Sequence, residues 1–270
     1  MSDYALYREP TVLESVKHRG LKLAPLVDHA VASRMQASFL AAAEFAHAAR
    51  EYTIVFVRSQ VESKTQVHPI VMLGVAEGEN LFIEAADGSA WDARYVPAYI
   101  RRYPFWTTQV DDTKTQAVLI DAWWRGFSET EGEALYEADG RPAKRLLDAI
   151  DFLKRYDLEA ERALAFCARL VELGLLHDMT VTATLPGETP LALDGFLAVD
   201  EARLLALPEA QVVEMHRNGM LGLVHAHLAS LGNLQALLDR KARRMSTPGR
   251  PKGEYRSAQH EGTPVTGVGP

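Results

Sequence analysis

Short β-branched, apolar runs fall into two groups along this chain, with a helical stretch between them, and that order limits the fold more than any other feature. The first group holds Thr53-Ile-Val-Phe-Val57, Pro69-Ile-Val-Met-Leu-Gly74, Asn80-Leu-Phe-Ile-Glu84 and residues 116–121; the second holds residues 180–185 and 191–199. Runs of this length and composition read as strands. In the middle, Leu146, Leu147, Ile150 and Leu153 recur at helical spacing, and Ala160, Leu164, Cys167 and Val171 continue the pattern. A parallel sheet needs a helical crossover between neighbouring strands, and this chain does not alternate that way. The expected class is α+β, with antiparallel sheet meanders packed against a helical middle and C-terminal helices.

The turn-rich Glu77-Gly78-Glu79-Asn80 predicts a hairpin joining 69–74 to 80–84, and Ala86-Asp87-Gly88-Ser89 predicts a further turn, so residues 53–96 read as a meander. Residues 35–50 read as a helix ending near Arg50, and 97–105 as short and irregular or helical. Pro186-Gly187 divides a second hairpin. Beyond it, short helices are expected from Asp200, from Pro208 to His216 with a stop at Asn218-Gly219, along Leu221, Val224, Leu228 and Leu231, and from Leu234 to Arg244.

With 270 residues, 47% of them hydrophobic, the chain can build a core without covalent staples. A single cysteine, Cys167, excludes an intramolecular disulfide and any CxxC site. The net charge of −7 argues against nucleic acid as a partner. That charge is uneven: residues 243–270 carry +3 and the rest −10. Nine of the last 26 residues are Gly or Pro, which predicts one domain over 1–244 and a disordered basic tail over 245–270. The longest stretch without Asp, Glu, Lys or Arg, residues 218–238, holds three glycines, two histidines and several amides, so no membrane span is expected. The first ten residues lack a basic start and an apolar region, which predicts a cytoplasmic location.

The chain has no GxxxxGK[ST] loop, no GxGxxG after a strand, and no HExxH, GxSxG, EF-hand or zinc-finger spacing. Any site is therefore assembled from scattered residues. The densest cluster is Tyr95-Val-Pro-Ala-Tyr-Ile-Arg-Arg-Tyr-Pro-Phe-Trp106. Arg101 and Arg102 can fork onto a carboxylate or phosphate, while Tyr99, Tyr103 and Trp106 offer ring faces. The ordinary alternative has these rings packed on the sheet and the arginines paired with acids such as Asp87 or Asp92. Glu44, inside an Ala-rich segment, needs a partner such as Arg101 or Arg102 if it is buried. Asp121 ends a strand beside Trp123 and Trp124 and is either an acid–base group or a turn cap. His225 and His227 lie about 200° apart on a helix, which suits packed, hydrogen-bonded histidines and not a shared metal. His18, His29 and His68 read as structural or surface groups, and Cys167 as a small buried hydrophobe. No metal site and no particular cofactor is indicated.

At Glu44-Phe45, Ile54-Val55-Phe56, Gly78-Glu79-Asn80-Leu81-Phe82 and Tyr95 to Phe105 the chain resembles the bacterial SapC family. The resemblance continues through Phe166-Cys-Ala-Arg169, Gly195-Phe-Leu-Ala-Val-Asp200, Leu204-Leu-Ala-Leu-Pro208, Gly219-Met-Leu221 and Ser230-Leu-Gly-Asn-Leu234, covering residues 4–244. The family takes its name from a surface-layer gene cluster and is distinct from the peptide-transporter permease of that name. The resemblance implies bacteria rich in TonB-dependent receptors and assigns no catalytic residue. Two functions follow as expectations. The first is a non-enzymatic binding or accessory protein for a protein, peptide or small anionic ligand, linked to surface-layer, uptake or peptide-modifying systems. The second is an enzyme, or a subunit of one, using Asp121, Arg101 and a histidine on a peptide or small anion.

Overall fold

The computed structural model describes residues 6–24, 29–61, 63–83, 90–110, 115–183 and 191–246. The N-terminal part contains β1 (Pro10–Val12), β2 (Lys22–Leu23), β3 (Ala37–Phe39), α1 (Phe45–Ala48), β4 (Ile54–Val61) and β5 (Lys64–Met72). The middle contains α2 (Ala98–Arg101), β6 (Phe105–Val110), β7 (Thr115–Asp121), β8 (Phe127–Ser128), β9 (Glu133–Ala134) and α3 (Lys144–Glu172). Then follow β10 (Leu176–Ala183), β11 (Leu191–Val199), α4 (Glu201–Leu205), α5 (Glu209–Arg217), α6 (Met220–Ser230) and α7 (Asn233–Ser246). All the paired strands are antiparallel, in sheets ordered β10-β11-β4-β5-β3, β1-β7-β6 and β8-β2-β9, so the class is α+β.

The main hairpin differs from the one expected. Residues 69–71 pair with 54–56 inside the β4–β5 ribbon, and not with the described residues 80–83. Only the inner half of that ribbon is apolar. Its outer half, from Arg58 to Val67, is largely polar, so hydrophobicity alone ended the strand at Val57. The turn is made by Ser63 at a positive φ of 65°, without a glycine to announce it. Residues 80–83 instead run alongside, with Leu81 N–H bonded to Leu73 O at 2.7 Å and Ile83 bridged to Trp91. The turn expected at Ala86–Ser89 and the Pro186-Gly187 turn lie outside the described residues, as does the tail beyond Ser246.

The helix expected over 35–50 is mostly something else. Ala37–Phe39 adds the edge strand β3, and Ala42–Glu44 forms one 3₁₀ turn before the short α1. Ser38 is buried and Phe39 half-buried, because strand pairing with Val71 and Ile70 outweighs local helix preference. The strand β6, which begins at Phe105 and pairs with β7, had no separate signal.

α3 is one 29-residue helix. Leu146 and Leu153 pack into a smaller core with Leu23, Phe105, Ile120 and Trp124. Tyr156, Phe166, Cys167 and Leu170 pack into the larger core over the five-stranded sheet. The buried face therefore turns away from the Leu164–Cys167–Val171 stripe read from the sequence. Cys167 is buried, as expected, but Val171 is 53% exposed.

Where β11 and β4 part company, α6 fills the gap. Phe196 pairs with Val57 and Leu197 with Phe56, a register that would set Val199 opposite Ile54. The imidazole of His227 stands between them: Val199 N–H donates to Nε2 at 3.1 Å, and Nδ1–H donates to Ile54 O at 2.9 Å. Ser230 Oγ accepts Ile54 N–H at 2.9 Å and donates to His227 O at 2.6 Å. His227 is thus a buried, fully bonded structural histidine, while His225 is exposed. α7 latches residues 79–83 and Asp92: Lys241 pairs with Glu79, Arg240 with Asp92, and Arg244 donates to Asn80 O and Ile83 O.

Candidate functional site

Tyr95 to Trp106 crosses the seam between the two cores. Pro97 fixes the entry to α2, and the Tyr103–Pro104 peptide bond is cis at the exit into β6. Behind this segment sits Glu44, only 4% exposed. Its Oε1 accepts Ala98 N–H at 2.6 Å and Tyr95 O–H at 2.7 Å, and its Oε2 accepts Ala41 N–H at 2.9 Å. Burial pushes its carboxyl above the usual range, opposed by these hydrogen bonds and by the nearby Arg101. The partner expected for Glu44 was an arginine in direct contact. The structure inserts Tyr95 between them: its hydroxyl donates to Glu44 and accepts Arg101 Nη2–H at 3.2 Å. Burial, then the Glu44 charge, raises the Tyr95 phenol above its ordinary value and keeps it a donor.

Asp121 is fully buried and holds a different set of donors. Oδ1 accepts Glu9 N–H at 2.9 Å and Trp123 N–H at 3.3 Å; Oδ2 accepts Tyr103 O–H at 2.8 Å and Arg8 N–H at 3.1 Å. The carboxylate therefore fastens the chain before β1 to the end of β7 and caps the following turn. Burial, with the hydrogen bond to Asp121 next, raises the Tyr103 phenol as well.

In front of this segment is a half-open groove of about 640 Å³. Its rim and walls include Arg101, Arg102 and Tyr103 from the sequence-designated cluster, His29, and Arg145, Asp148, Phe152 and Arg155 from α3; Ile100, Phe105, Trp124 and Leu153 give it an apolar floor. Arg101 Nε–H donates to Val96 O at 2.9 Å, and its guanidinium lies 5.4 Å from the Tyr95 ring and 5.2 Å from Phe152. Among the described residues no carboxylate stands within 4.0 Å of it. Arg102 is 6% exposed, over Tyr99 at 4.4 Å and Tyr156 at 4.9 Å. Among the described residues Arg145 has one carboxylate nearby, Glu133 at 4.0 Å, whereas Arg155 is paired with Asp151 and Asp148 with Lys144. Asp92, one of the acids expected to neutralise this cluster, is held by Arg240 instead; Asp87 lies outside the described residues.

Arg101, Arg102 and Tyr103 are thus brought together on one surface. Tyr99 and Trp106 face the main core, Trp106 with its ring centroid 3.9 Å from that of Tyr7. Glu44 and Asp121 do not line the groove. Trp124, Arg145, Phe152 and Arg155 were not singled out as ligand contacts. The last three, with Asp148, recur at spacings of three and four, so one polar face of α3 was there to be read. Trp124 is placed by a close approach: a Cβ on Gly126 would stand 2.1 Å from its ring. Among the described residues no group of three or more His, Cys, Asp or Glu could hold a metal ion, and no helix is long and apolar enough to cross a membrane.

These elements define an antiparallel α+β protein with an arginine-rich groove at the seam of two cores. The family model for SapC matches residues 13–237, and the chain belongs to that family. No curated protein and no solved structure matches it.

Proposed function

We infer that the protein is a non-catalytic binding or accessory protein whose recognition site is the groove beneath α2. The observation that carries this reading is charge: four guanidiniums and one carboxylate side chain border a cavity with an apolar floor, inside a chain of net charge −7. Such a local reversal of sign attracts anions against the field of the whole molecule. The cavity's volume falls in the range used for small ligands or a short peptide segment. The two buried carboxylates support binding over catalysis. Each is saturated by protein donors, and an acid–base group must reach the proton it moves.

In this reading residues 1–244 act as one unit and the basic tail is separate from recognition. The protein works in the cytoplasm, as an accessory to surface-layer, TonB-dependent uptake or peptide-modifying systems. The test is thermal unfolding in chloride, sulfate, phosphate and citrate at equal ionic strength. A ligand that binds only the folded state raises Tm. Multivalent anions should raise it more for the wild type than for the double variant Arg101→Gln/Arg145→Gln. Equal shifts in both proteins would remove the groove as the anion site.

A further inference from the structure

We propose that the groove takes a carboxylate carried on a flat apolar body, with the carboxylate on Arg101 and a second oxygen of the same ligand on the indole N–H of Trp124. This rests on the anion-binding reading above and goes further by excluding free phosphate and acidic surfaces as the cognate chemistry.

The first observation is the way Arg101 is held. Val96 O takes its Nε–H, Tyr95 Oη takes one Nη2–H, and the hydrogen of Tyr95 goes to the buried Glu44. Phe152 and Tyr95 flank the plane. A guanidinium oriented by its own protein loses little side-chain freedom when a ligand arrives. Among the described residues nothing takes its Nη1 hydrogens, which are left for that ligand.

The second observation is independent of charge. Trp124 lines the groove, is 7% exposed, and its Nε1–H is buried with no hydrogen-bond partner among the described residues. A buried unsatisfied donor is costly, and an acceptor oxygen on a ligand recovers that cost.

Charge and polarity then set the class. Arg155 already has Asp151, so the uncompensated charge is concentrated at Arg101 with a contribution from Arg145. That suits one carboxylate. A phosphate dianion over Ile100, Leu153 and Phe105 would leave charge against apolar surface without enough donors. The same floor offers burial to an apolar group, and the rings of Phe152 and Trp124 favour a flat one.

Isothermal titration calorimetry of the full chain tests this with N-acetylphenylalanine, its amide, and inorganic phosphate. The acid should bind about tenfold or more tighter than the amide, and tighter than phosphate. Trp124→Phe keeps a ring but removes the donor, and should weaken the acid about fivefold or more. Arg101→Lys keeps the charge without the fork and should lose most of the preference for acid over amide. A Gly-Gly-Phe peptide that binds more tightly than N-acetylphenylalanine assigns the ligand to peptide termini; the reverse order assigns it to small free acids, and both orders support the proposal. Equal binding of acid and amide, or phosphate as tight as the acid, overturns the proposal but leaves anion binding standing. Binding of neither acid nor phosphate overturns both. An unaltered affinity in Trp124→Phe overturns the role of the indole.

Discussion

At Glu44 one carboxylate satisfies two backbone N–H groups and a phenol inside the protein. Its burial is stabilising only while all three donors are kept, because removing one partner strands the others. Glu44→Ala should lower stability by about 3 kcal/mol in urea unfolding, several times more than Glu44→Gln, which keeps an acceptor. His227 gives a pH dependence with a definite sign. Burial, in a place where Nε2 must accept from Val199 N–H, lowers its pKa from 6.5 to about 4. The unfolded chain therefore takes up a proton near pH 6.5 that the folded chain refuses until about pH 4. The contribution is complete above pH 6.5 and falls as pH drops through that window, the accumulated loss reaching about 3 kcal/mol at the lower end. Subtracting the pH profile of His227→Gln, which can still accept and donate, should isolate that slope in denaturant titrations. A difference profile that stays flat from pH 7 to 4 would show that the ring is not held neutral.

Among the elements, the β4–β5 ribbon and the wall at Trp124 are the places where single backbone positions decide the outcome. Ser63 holds a left-handed φ that costs an L-residue about 1 kcal/mol, so Ser63→Gly should be neutral to slightly stabilising, whereas Ser63→Val should cost more than that. Gly126→Ala would push a methyl into the Trp124 ring and should cost about 1–3 kcal/mol, with a visible change in tryptophan fluorescence. The same elements show what was legible in the sequence. Helices α3 to α7, the β10–β11 hairpin and β7 were readable because their apolar residues repeat at one period and their ends carry Asp200, Pro208 and Gly219. β3 and β6 were not, because each is fixed by a partner distant in sequence and not by its own pattern. At the site, Arg101, Arg102 and Tyr103 stood out as a dense cluster in one segment. Arg145, Phe152 and Arg155 did not, because their role depends on which way a long helix is rotated, and that is settled by Leu146 and Leu153 packing into the smaller core.

Across the whole molecule, α3 ties the two cores together by lending Leu153 to one and Phe166 to the other. We propose that they unfold as one unit. Leu153→Ala and Phe166→Ala should each lower a single melting transition seen alike by circular dichroism and tryptophan fluorescence, at a cost of about 2–5 kcal/mol. Two separated transitions would show that the cores are independent. The imidazole wedge of α6 closes the seam of the large sheet. The strands of each pair, β4 with β5 and β10 with β11, are neighbours in sequence, but the gap between Ile54 and Val199 is filled only when His227 reaches Ile54, 173 residues away. Contacts at that separation form late, because their loop-closure entropy comes due before they return anything. On a growing polypeptide, β11 can pair with β4 through Phe196 and Leu197 before α6 exists, so the stretch of seam at Ile54 and Val199 is left with open backbone groups until the last third of the chain has been made.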